Sequence, residues 1–591
     1  MDVLRYYFSA VIFLKNKKIL DMTLSLFRSV LHVCSHYIKL LIFIVLFFCA
    51  AELTAQKPTV GLLQYEQGKQ QDGYVLFAPV RSTVTYLIDK CGRQVHSWNS
   101  AYKPGFAAYL LADGSLIRSG NSANPRFSFD AGGLIENIAW DGTIEWTYRI
   151  SDTTMCQHHD IKPMPNGHIL AVVWDAKRFA VAVDNGRDPA ITDTIIWSEK
   201  IIEIAPDEAG SATVVWEWSV WDHLIQEFDA TKSNFGVVKN HPELININYS
   251  TSANPKKSPD WIHANSVEYN AELDQIMISA SFFNEIWIID HSTTTQEAAT
   301  HSGGKYGKGG DLLYRWGNPI AYNRGTEADK ILYGQHNPHW VEKGLTDEGK
   351  IMIFNNGFRR PGNYSTIEII IPPIDATGNY TLESDKPYLP MQSFWRYADT
   401  SAETRFTAPT MSSAQRLPNG NTLICSGPVG TFFEITPDNK SIWRYKNPST
   451  ISGIAKQGST PSINDVFKAH LYPPNFSGFN GRTLTAGEPI ELEPGPSICT
   501  PDGVESENQK ITTELYPNPV SDILQVRFDN VTTKPTECLL VNTLGEVVVR
   551  QTIGSFDNTL QLDVHLIPAG MYALKINGMT STVTKKVVII K

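Results

Sequence analysis

Apolar and polar positions alternate in short runs along most of the chain after residue 57. Asn-Gly and Asp-Gly pairs separate many of these runs, as in HHDIKPMPNGHILAVVW and AAYLLADGSLIRSG, and such pairs favour β-hairpins. Six segments share one pattern, in which an apolar strand, a turn and a second strand end near tryptophan: 85–98, 134–148, 201–218, 286–316, 365–397 and 431–445. Another strand or strand pair precedes each segment, so the pattern predicts six copies of a four-strand unit.

These copies predict an all-β chain in which residues 57–485 form a six-bladed β-propeller. An array of β-sandwiches is the alternative. The propeller is favoured because each copy has the size of one blade and because the copies share the outer-strand tryptophan. Long excursions interrupt the pattern at 219–260, 292–312 and 372–392. In a propeller such insertions lie over one face, where they commonly shape a pocket.

The N-terminal region has the pattern of a targeting segment. Residues 38–51 form one apolar run, and cleavage after Ala55 fits the small-residue rule for signal peptides. Because the run is short for a membrane span, residues 1–55 are predicted to be a secretory signal, with a retained anchor as the alternative. The long stretch before the run leaves Met22 open as the true start of translation.

The character of the sequence changes after residue 485. Residues 486–512 are rich in proline, serine and glutamate and predict a linker, whereas 513–591 predict a small Ig-like β-sandwich. This sandwich resembles the C-terminal sorting domain of the type IX secretion system in four features: Tyr516-Pro517-Asn518-Pro519, Asn542-Thr543-Leu544-Gly545-Glu546, Pro568-Ala569-Gly570-Met571-Tyr572, and Lys585 with Lys586.

The resemblance to a sorting domain implies a partner and a location. The outer-membrane secretion machinery would recognise this domain, and the chain would pass through the periplasm to be secreted or attached to the cell surface. An accessory sandwich that binds a ligand is the alternative.

Composition removes several classes of function. The 591 residues carry a net charge of −10, which provides no electrostatic attraction for nucleic acid. Five cysteines follow Cys34 and Cys49 of the signal, and none has C-x-x-C spacing. One disulfide fits this number, with its pairing left open. No motif predicts a metal or a cofactor, and no pattern indicates an oligomeric state.

Histidines at the starts of three predicted blades carry the candidate chemistry. His158 and His159 open one first strand, His263 opens another with Asn265 two positions later, and His336 opens a third. Equivalent positions in a propeller lie at the same strand end, so these side chains are expected to converge on one mouth of the channel. The two-residue period of a strand places His263 and Asn265 on the same side. Structural histidines in each blade, or a zinc ion held by three imidazoles, are the alternatives.

The same segments resemble the bacterial arylsulfate sulfotransferases, a family of six-bladed propellers, over roughly residues 72–485. The resemblance rests on HHD…PNG, on DWIHANS at 260–266, on GQHNP and on SAQRLPNGNTLI at 413–424. It implies sulfuryl transfer from an aryl sulfate donor to a phenolic acceptor, by a ping-pong route through a sulfated histidine and without a nucleotide donor.

The resemblance also implies roles for individual residues. By position, His336 would be the nucleophile, and His263 with Asn265 would be the family's HxN pair. His159 or His158 would be the remaining active-site histidine, with spacing favouring His159.

One position departs from the family pattern. Ser281 stands where the family commonly carries an arginine, and Arg359, Arg360 and Arg416 are candidates to replace it, although each also fits an exposed surface charge. His223, within WDHLIQ, is interpreted as a loop-packing residue, with a pocket residue as the alternative. Three hypotheses therefore stay open: an exported sulfotransferase, a propeller that binds a sulfated or phenolic ligand without turnover, and a metal-dependent hydrolase that uses the same histidines.

Overall fold

The computed structural model describes residues 22, 57–127, 132–207, 209–251, 258–401, 405–499, 512–529, 535–542, 547–552, 559–578 and 582–591. The predicted signal, residues 1–55, lies outside the described residues apart from Met22. The chain divides into two compact units, Met1–Ile498 and Cys499–Lys591. None of the helices in the described ranges is long and apolar enough to cross a membrane. The predicted boundaries at residues 485 and 512 stay predictions.

Antiparallel sheets of four or five strands build the first unit, and the described residues contain six of them. Written from the inner strand outwards, they are sheet 1 (Val466–Tyr472, Tyr74–Pro79, Val84–Asp89, Gln94–Asn99), sheet 2 (Pro104–Leu110, Leu116–Asn121, Gly133–Ile138, Ile144–Arg149), sheet 3 (Met155–Pro163, Ile169–Arg178, Ile195–Pro206, Ala212–Ser219), sheet 4 (Ala264–Asn270, Gln275–Ala280, Glu285–Asp290, Tyr314–Trp316), sheet 5 (His336–Trp340, Ile351–Asn355, Thr366–Ile370, Trp395–Ala398) and sheet 6 (Ser413–Arg416, Thr422–Ser426, Thr431–Ile435, Ser441–Lys446, Gly61–Tyr65).

The sheets are arranged in a ring. Their inner strands contact one another in the order of the numbering, and the inner strand of sheet 6 contacts that of sheet 1. This is the arrangement of a β-propeller. The prediction of an all-β chain is confirmed.

Both ends of this unit contribute to closure of the ring. The strand Tyr74–Pro79 pairs with Val466–Tyr472 inside sheet 1. The first strand, Gly61–Tyr65, pairs with Ser441–Lys446 at the outer edge of sheet 6. Residues from the beginning and the end of the unit therefore share two neighbouring sheets.

Short elements occupy the connections. The two-stranded pairs are Leu224–Ile225 with Ile245–Asn246 and Ser449–Thr450 with Gly453–Ile454. The α-helices are Phe179–Asp184 and Thr295–Ala298, and the 3₁₀-helices are Pro189–Ile191, Val220–Asp222, Val238–Asn240, Ser281–Phe283, Pro319–Tyr322, Glu327–Asp329, Gly427–Val429 and Ser477–Phe479.

The recurring tryptophans have a common structural role. Four buried indole N–H groups each donate to a backbone carbonyl of the next sheet or its loops: Trp98 to Ala139, Trp218 to Gly310, Trp316 to Pro390 and Trp443 to Lys90. Burial of an indole requires such a partner for its N–H. These contacts connect neighbouring sheets and explain why the sequence repeats tryptophan near the end of the outer strand.

The described cysteines fall into two groups. Cys91 and Cys499 are each in a disulfide, whereas Cys156, Cys425 and Cys538 are buried free thiols. Burial raises the pKa of all three free thiols, that of Cys156 to about 11. They therefore stay protonated and unreactive near neutral pH.

The second unit is a small two-sheet sandwich, as predicted. One sheet contains Thr512–Tyr516, Ile523–Asp529 and Thr559–Asp563, and the other contains Val547–Thr552, Pro535–Val541, Gly570–Gly578 and Thr582–Ile589. Buried residues from both sheets, including Leu524, Val526, Leu540, Leu562 and Leu574, form its core. Residues 543–546 of the predicted sorting motif lie outside the described residues.

Candidate active site

A cavity of about 760 Å³ lies among the inner ends of sheets 2 to 5. His159 of sheet 3, His263 just before sheet 4 and His336 at the start of sheet 5 all line it. The ring centroids of His159 and His263 are 4.6 Å apart. The structure therefore brings three of the predicted histidines together, from parts of the chain that are far apart in sequence.

These histidines reach the cavity because the inner strands are irregular there. In sheets 3, 4 and 5 the pairing of the first two strands shifts register beside them. His159, His263 and Asn337 have φ values of 50°, 53° and 49°, in the left-handed region that residues with a side chain seldom adopt. β-Bulges of this kind redirect side chains, and backbone strain clusters at functional sites.

Asn356 fixes the tautomer of His336. The Asn356 amide nitrogen donates to the carbonyls of Ala408 at 2.7 Å and Met411 at 2.9 Å, which turns its oxygen towards the imidazole. This oxygen lies 2.8 Å from His336 Nδ1, and the Gly334 carbonyl lies 3.2 Å from the same nitrogen. Both partners are acceptors, so Nδ1 carries the hydrogen and Nε2 keeps its lone pair. Burial lowers the pKa of His336 to about 3, and the ring is therefore neutral at physiological pH.

His158 lies behind His159 and is not part of the cavity wall. Its ring stacks on Trp174 with centroids 3.8 Å apart. His158 Nδ1 is 2.9 Å from His159 Nδ1, and His158 Nε2 is 2.8 Å from Glu199 Oε2. Glu199, His158 and His159 therefore form one hydrogen-bonded chain that ends at the cavity.

Burial determines where the protons of this chain rest. It raises the pKa of Glu199 well above its usual range, with a further contribution from the charge of Asp260. It also lowers the pKa values of His158 and His159 well below theirs, aided by the neighbouring His263. These shifts favour a protonated Glu199 and neutral imidazoles; with Glu199 protonated, its carboxyl donates to His158, His158 Nδ1 donates to His159, and His159 Nε2 carries an N–H.

His263 is oriented by two neighbours. Its Nδ1 lies 2.6 Å from Asp260 Oδ2, which accepts the hydrogen and leaves Nε2 on the other side of the ring. The Phe282 ring lies parallel to the imidazole, with centroids 4.6 Å apart and planes 9° apart. The carboxylate stabilises an imidazolium form of His263, and the aromatic ring restricts its rotation.

Asn265 is fully buried and does not line the cavity. Its amide donates to the carbonyl of Gln335 at 2.9 Å, immediately before His336. The bulge at the start of this strand interrupts the two-residue period that was expected to keep Asn265 beside His263. Asn265 is thus placed to hold the strand that carries His336.

Among the three candidate arginines, Arg359 is the one that lines the cavity. Arg360 lies 3.9 Å from Glu368, and Arg416 pairs with Asp347 at 2.6 Å, so both belong to buried structural pairs rather than to exposed surface. Arg359 is exposed, and its φ of 63° places it on a strained turn.

Several cavity residues could not be identified from the sequence. Lys330 supplies a second cation, and Phe106, Tyr333 and Phe358 add aromatic surface. No motif marks these four residues, because they come from loops or from ordinary hydrophobic positions. Ser281, the position identified from the sequence as lacking the expected arginine, also lies on the wall.

The ring of sheets and its cavity define a β-propeller with a histidine-lined binding site. The chain belongs to the arylsulfotransferase (ASST) family, whose model matches residues 135–470. The family supports an aryl sulfotransferase activity, with an aryl donor and a phenol acceptor.

The second unit has its own family match. Residues 514–590 match the secretion system C-terminal sorting domain. This domain indicates export, followed by secretion or attachment to the cell surface. The predicted localisation is confirmed.

More distant likenesses are found among solved structures. A protein of unknown function from Bacteroides caccae is 11% identical, with 68% of this chain and 98% of that protein covered and a TM-score of 0.36. Virginiamycin B lyase from Staphylococcus aureus is 12% identical, with 71% and 97% covered and a TM-score of 0.31. No curated protein matches the chain.

Proposed function

We propose that this protein transfers a sulfuryl group from an aryl sulfate ester to a phenolic acceptor by a ping-pong reaction in which His336 Nε2 carries the group. The observation that carries this proposal is the contact of Asn356 with His336 Nδ1, which leaves Nε2 with a lone pair in a neutral ring. A neutral imidazole held in one tautomer is a good nucleophile near pH 7.

In the first half-reaction the lone pair of His336 Nε2 attacks the sulfur of the donor. The N–S bond forms as the S–O bond to the aryl group breaks, and the phenolate leaves with the electron pair. His159 Nε2–H protonates this oxygen. The Nδ1–H of His336 remains bonded to Asn356, which stabilises the positive charge that develops on the sulfated ring.

The hydrogen-bonded chain of Glu199, His158 and His159 supplies that proton and later recovers it. When His159 Nε2 gives its hydrogen away, His159 Nδ1 takes one from His158, and His158 Nε2 takes one from Glu199. Glu199 is then a carboxylate while the enzyme is sulfated. In the second half-reaction the acceptor oxygen attacks sulfur as the N–S bond breaks and its electron pair returns to His336 Nε2. The acceptor's proton enters at His159 Nε2, and the proton transfers run in reverse.

The remaining cavity residues bind and position the substrates. Sulfuryl transfer resembles phosphoryl transfer, with a loose transition state and negative charge on the equatorial oxygens. Arg359 and Lys330 supply positive charge, and an imidazolium form of His263 adds a donor. Phe282 and the other aromatic side chains provide an apolar surface for the aryl group.

The experiment uses the mature protein, 4-nitrophenyl sulfate as donor and phenol as acceptor. We expect nitrophenol release that depends on phenol, and loss of release in His336→Ala but not in His241→Ala, an exposed histidine paired with Glu243. Mass spectrometry of the protein quenched with donor alone should find one added SO₃ group on the peptide containing residue 336. Equal release by the wild type and His336→Ala would overturn the proposal.

A second candidate is a propeller that binds a sulfated or phenolic ligand without turnover. Ser281 on the cavity wall favours it, because the position lacks the cation expected there. Tight binding of 4-nitrophenyl sulfate without release or a sulfated histidine would support this alternative. Metal-dependent release of nitrophenol that needs no phenol and leaves no sulfated histidine would instead support the metal-dependent hydrolase.

A further inference from the structure

A second group of histidines lies outside the cavity, in two of the three long insertions. His223 follows the 3₁₀-helix Val220–Asp222, and His301 and Asp311 lie on the glycine-rich loop before the strand Tyr314–Trp316. One ring nitrogen of His223, one of His301 and a carboxylate oxygen of Asp311 all lie within 4.8 Å of one another. Each imidazole nitrogen is 2.8 Å from Asp311 Oδ1.

The hydrogen bonds of His223 determine which of its nitrogens faces Asp311. Its Nε2 lies 2.8 Å from the carbonyl oxygen of Ala298, which can only accept, so Nε2 carries a hydrogen. Nδ1 is then the ring nitrogen that faces the carboxylate of Asp311, at 2.8 Å from Oδ1. The buried imidazole therefore presents Nδ1 beside a carboxylate oxygen, a pair of atoms that a metal ion can join.

The surroundings of His223 hold it in this orientation. The residue is fully buried, and its ring stacks on Trp218 with planes 9° apart. Trp218 donates to the carbonyl of Gly310, where a Cβ would lie 2.5 Å from His223 Nε2. The close approach of the chain therefore depends on glycine. A ring N–H held by a backbone carbonyl is the arrangement found behind metal-bound histidines.

We propose that His223, His301 and Asp311 bind a zinc ion, through Nδ1 of both histidines and a carboxylate oxygen of Asp311. Two imidazoles and one carboxylate suit zinc, with a water in the fourth position, whereas calcium and magnesium prefer oxygen ligands alone. His301 is exposed and gives the ion access from solvent, while His223 and Asp311 are buried. The ion would connect segments 88 positions apart and hold the two insertions together.

This proposal does not depend on the sulfotransferase reaction, so its test does not use activity. The mature full-length protein is stripped with a chelator, dialysed and titrated with ZnCl₂, while bound zinc is measured by elemental analysis and the thermal unfolding midpoint is recorded. We expect one zinc per chain and a midpoint that rises with free zinc.

The His301→Ala variant is the decisive comparison, because its side chain is exposed and its loss leaves the buried pair of His223 and Asp311 in place. We expect its zinc affinity to fall by at least about 10-fold. His241→Ala, which removes an exposed histidine from the same region, should bind zinc like the wild type. Absence of zinc binding, or equal binding and stabilisation in His301→Ala, would overturn the proposal and leave a proton-bridged pair of His223 and Asp311.

Discussion

Asn356 determines which nitrogen of His336 can act, because its amide oxygen lies 2.8 Å from Nδ1 while its amide nitrogen is held by two carbonyls. The side chain therefore cannot flip without losing two hydrogen bonds. The nitrogen that keeps its lone pair is therefore selected by a residue twenty positions further along the chain.

Replacement of Asn356 tests this selection. Asn356→Leu removes the acceptor and should lower kcat by on the order of 10²-fold with little change in KM, because the tautomer and orientation of His336 are no longer fixed. Asn356→Asp keeps an acceptor oxygen and should retain more activity than the leucine variant, although both lose the donors to Ala408 and Met411. Steady-state kinetics of both variants provide the measurement; equal kcat values in the two would contradict this role.

Glu199→Gln should disconnect the proton chain. An amide cannot give up a proton to His158, so protonation of the departing phenolate is impaired. The loss should be roughly 10²-fold or more for phenyl sulfate, whose phenolate is a poor leaving group, and much smaller for 4-nitrophenyl sulfate. The control is Glu217→Gln, which removes a carboxylate of the same sheet that pairs with Lys200. A loss of the same size with both donors would mean that Glu199 has only a structural role.

Arg359→Gln should weaken capture of the anionic donor. Removal of one cation from the cavity wall should raise KM for 4-nitrophenyl sulfate and lower kcat/KM by roughly 10-fold or more, without a change in the thermal midpoint, because Arg359 is exposed. Arg149→Ala, at an exposed position of sheet 2, is the matched control. An unchanged kcat/KM would assign anion binding to other groups.

A separate histidine predicts how stability depends on pH. Burial alone would lower the pKa of His291, but hydrogen bonds to Asp274 and Glu203 raise it to about 9. Because the folded-state pKa exceeds the unfolded value of about 6.5, this stabilisation is complete below pH 6.5 and disappears as the pH rises through 9. It amounts to at most about 3 kcal/mol.

Denaturant unfolding between pH 6 and 10 measures this effect. The free energy of unfolding should fall across the interval in the wild type and fall less in His291→Gln.

Glu203 contributes stability with the opposite pH dependence. Although burial would raise the pKa of Glu203, hydrogen bonds from His291 and His168 lower it to about 2, so its contribution is present above pH 4.5 and disappears as the pH falls towards 2. Parallel profiles of unfolding free energy against pH for the wild type and His291→Gln would refute the assignment of the alkaline pH dependence to His291.

The sequence predicted the repeated strands well, because hairpin turns are local. Asn166-Gly167 lies between strands Met155–Pro163 and Ile169–Arg178, as its turn chemistry requires. The histidines that line the cavity could also be proposed, because each follows the same local motif. The position of Asn265 could not be predicted, because a bulge breaks the two-residue period of the strand and bulges have no reliable sequence pattern.

The hydrogen-bond partners of the histidines could not be predicted from the sequence, for a different reason. Glu199 lies 41 positions from His158 and pairs with it across sheet 3. Nothing near Glu199 in the sequence distinguishes it from a surface carboxylate, since its burial depends on packing of distant strands. Local patterns thus identified the histidines that line the cavity, whereas the groups that set their tautomers required the tertiary structure.

The position of the closing strand also bears on how this protein is exported. Until Val466–Tyr472 has been made, Tyr74–Pro79 has a free edge, and such an edge can recruit other chains into aggregates. The sorting domain follows that strand in the sequence. A polypeptide truncated before residue 466 therefore lacks both the strand that completes sheet 1 and the domain that indicates export. The order of segments along the chain thus makes the sorting domain available only after the strand that closes the ring has been synthesised.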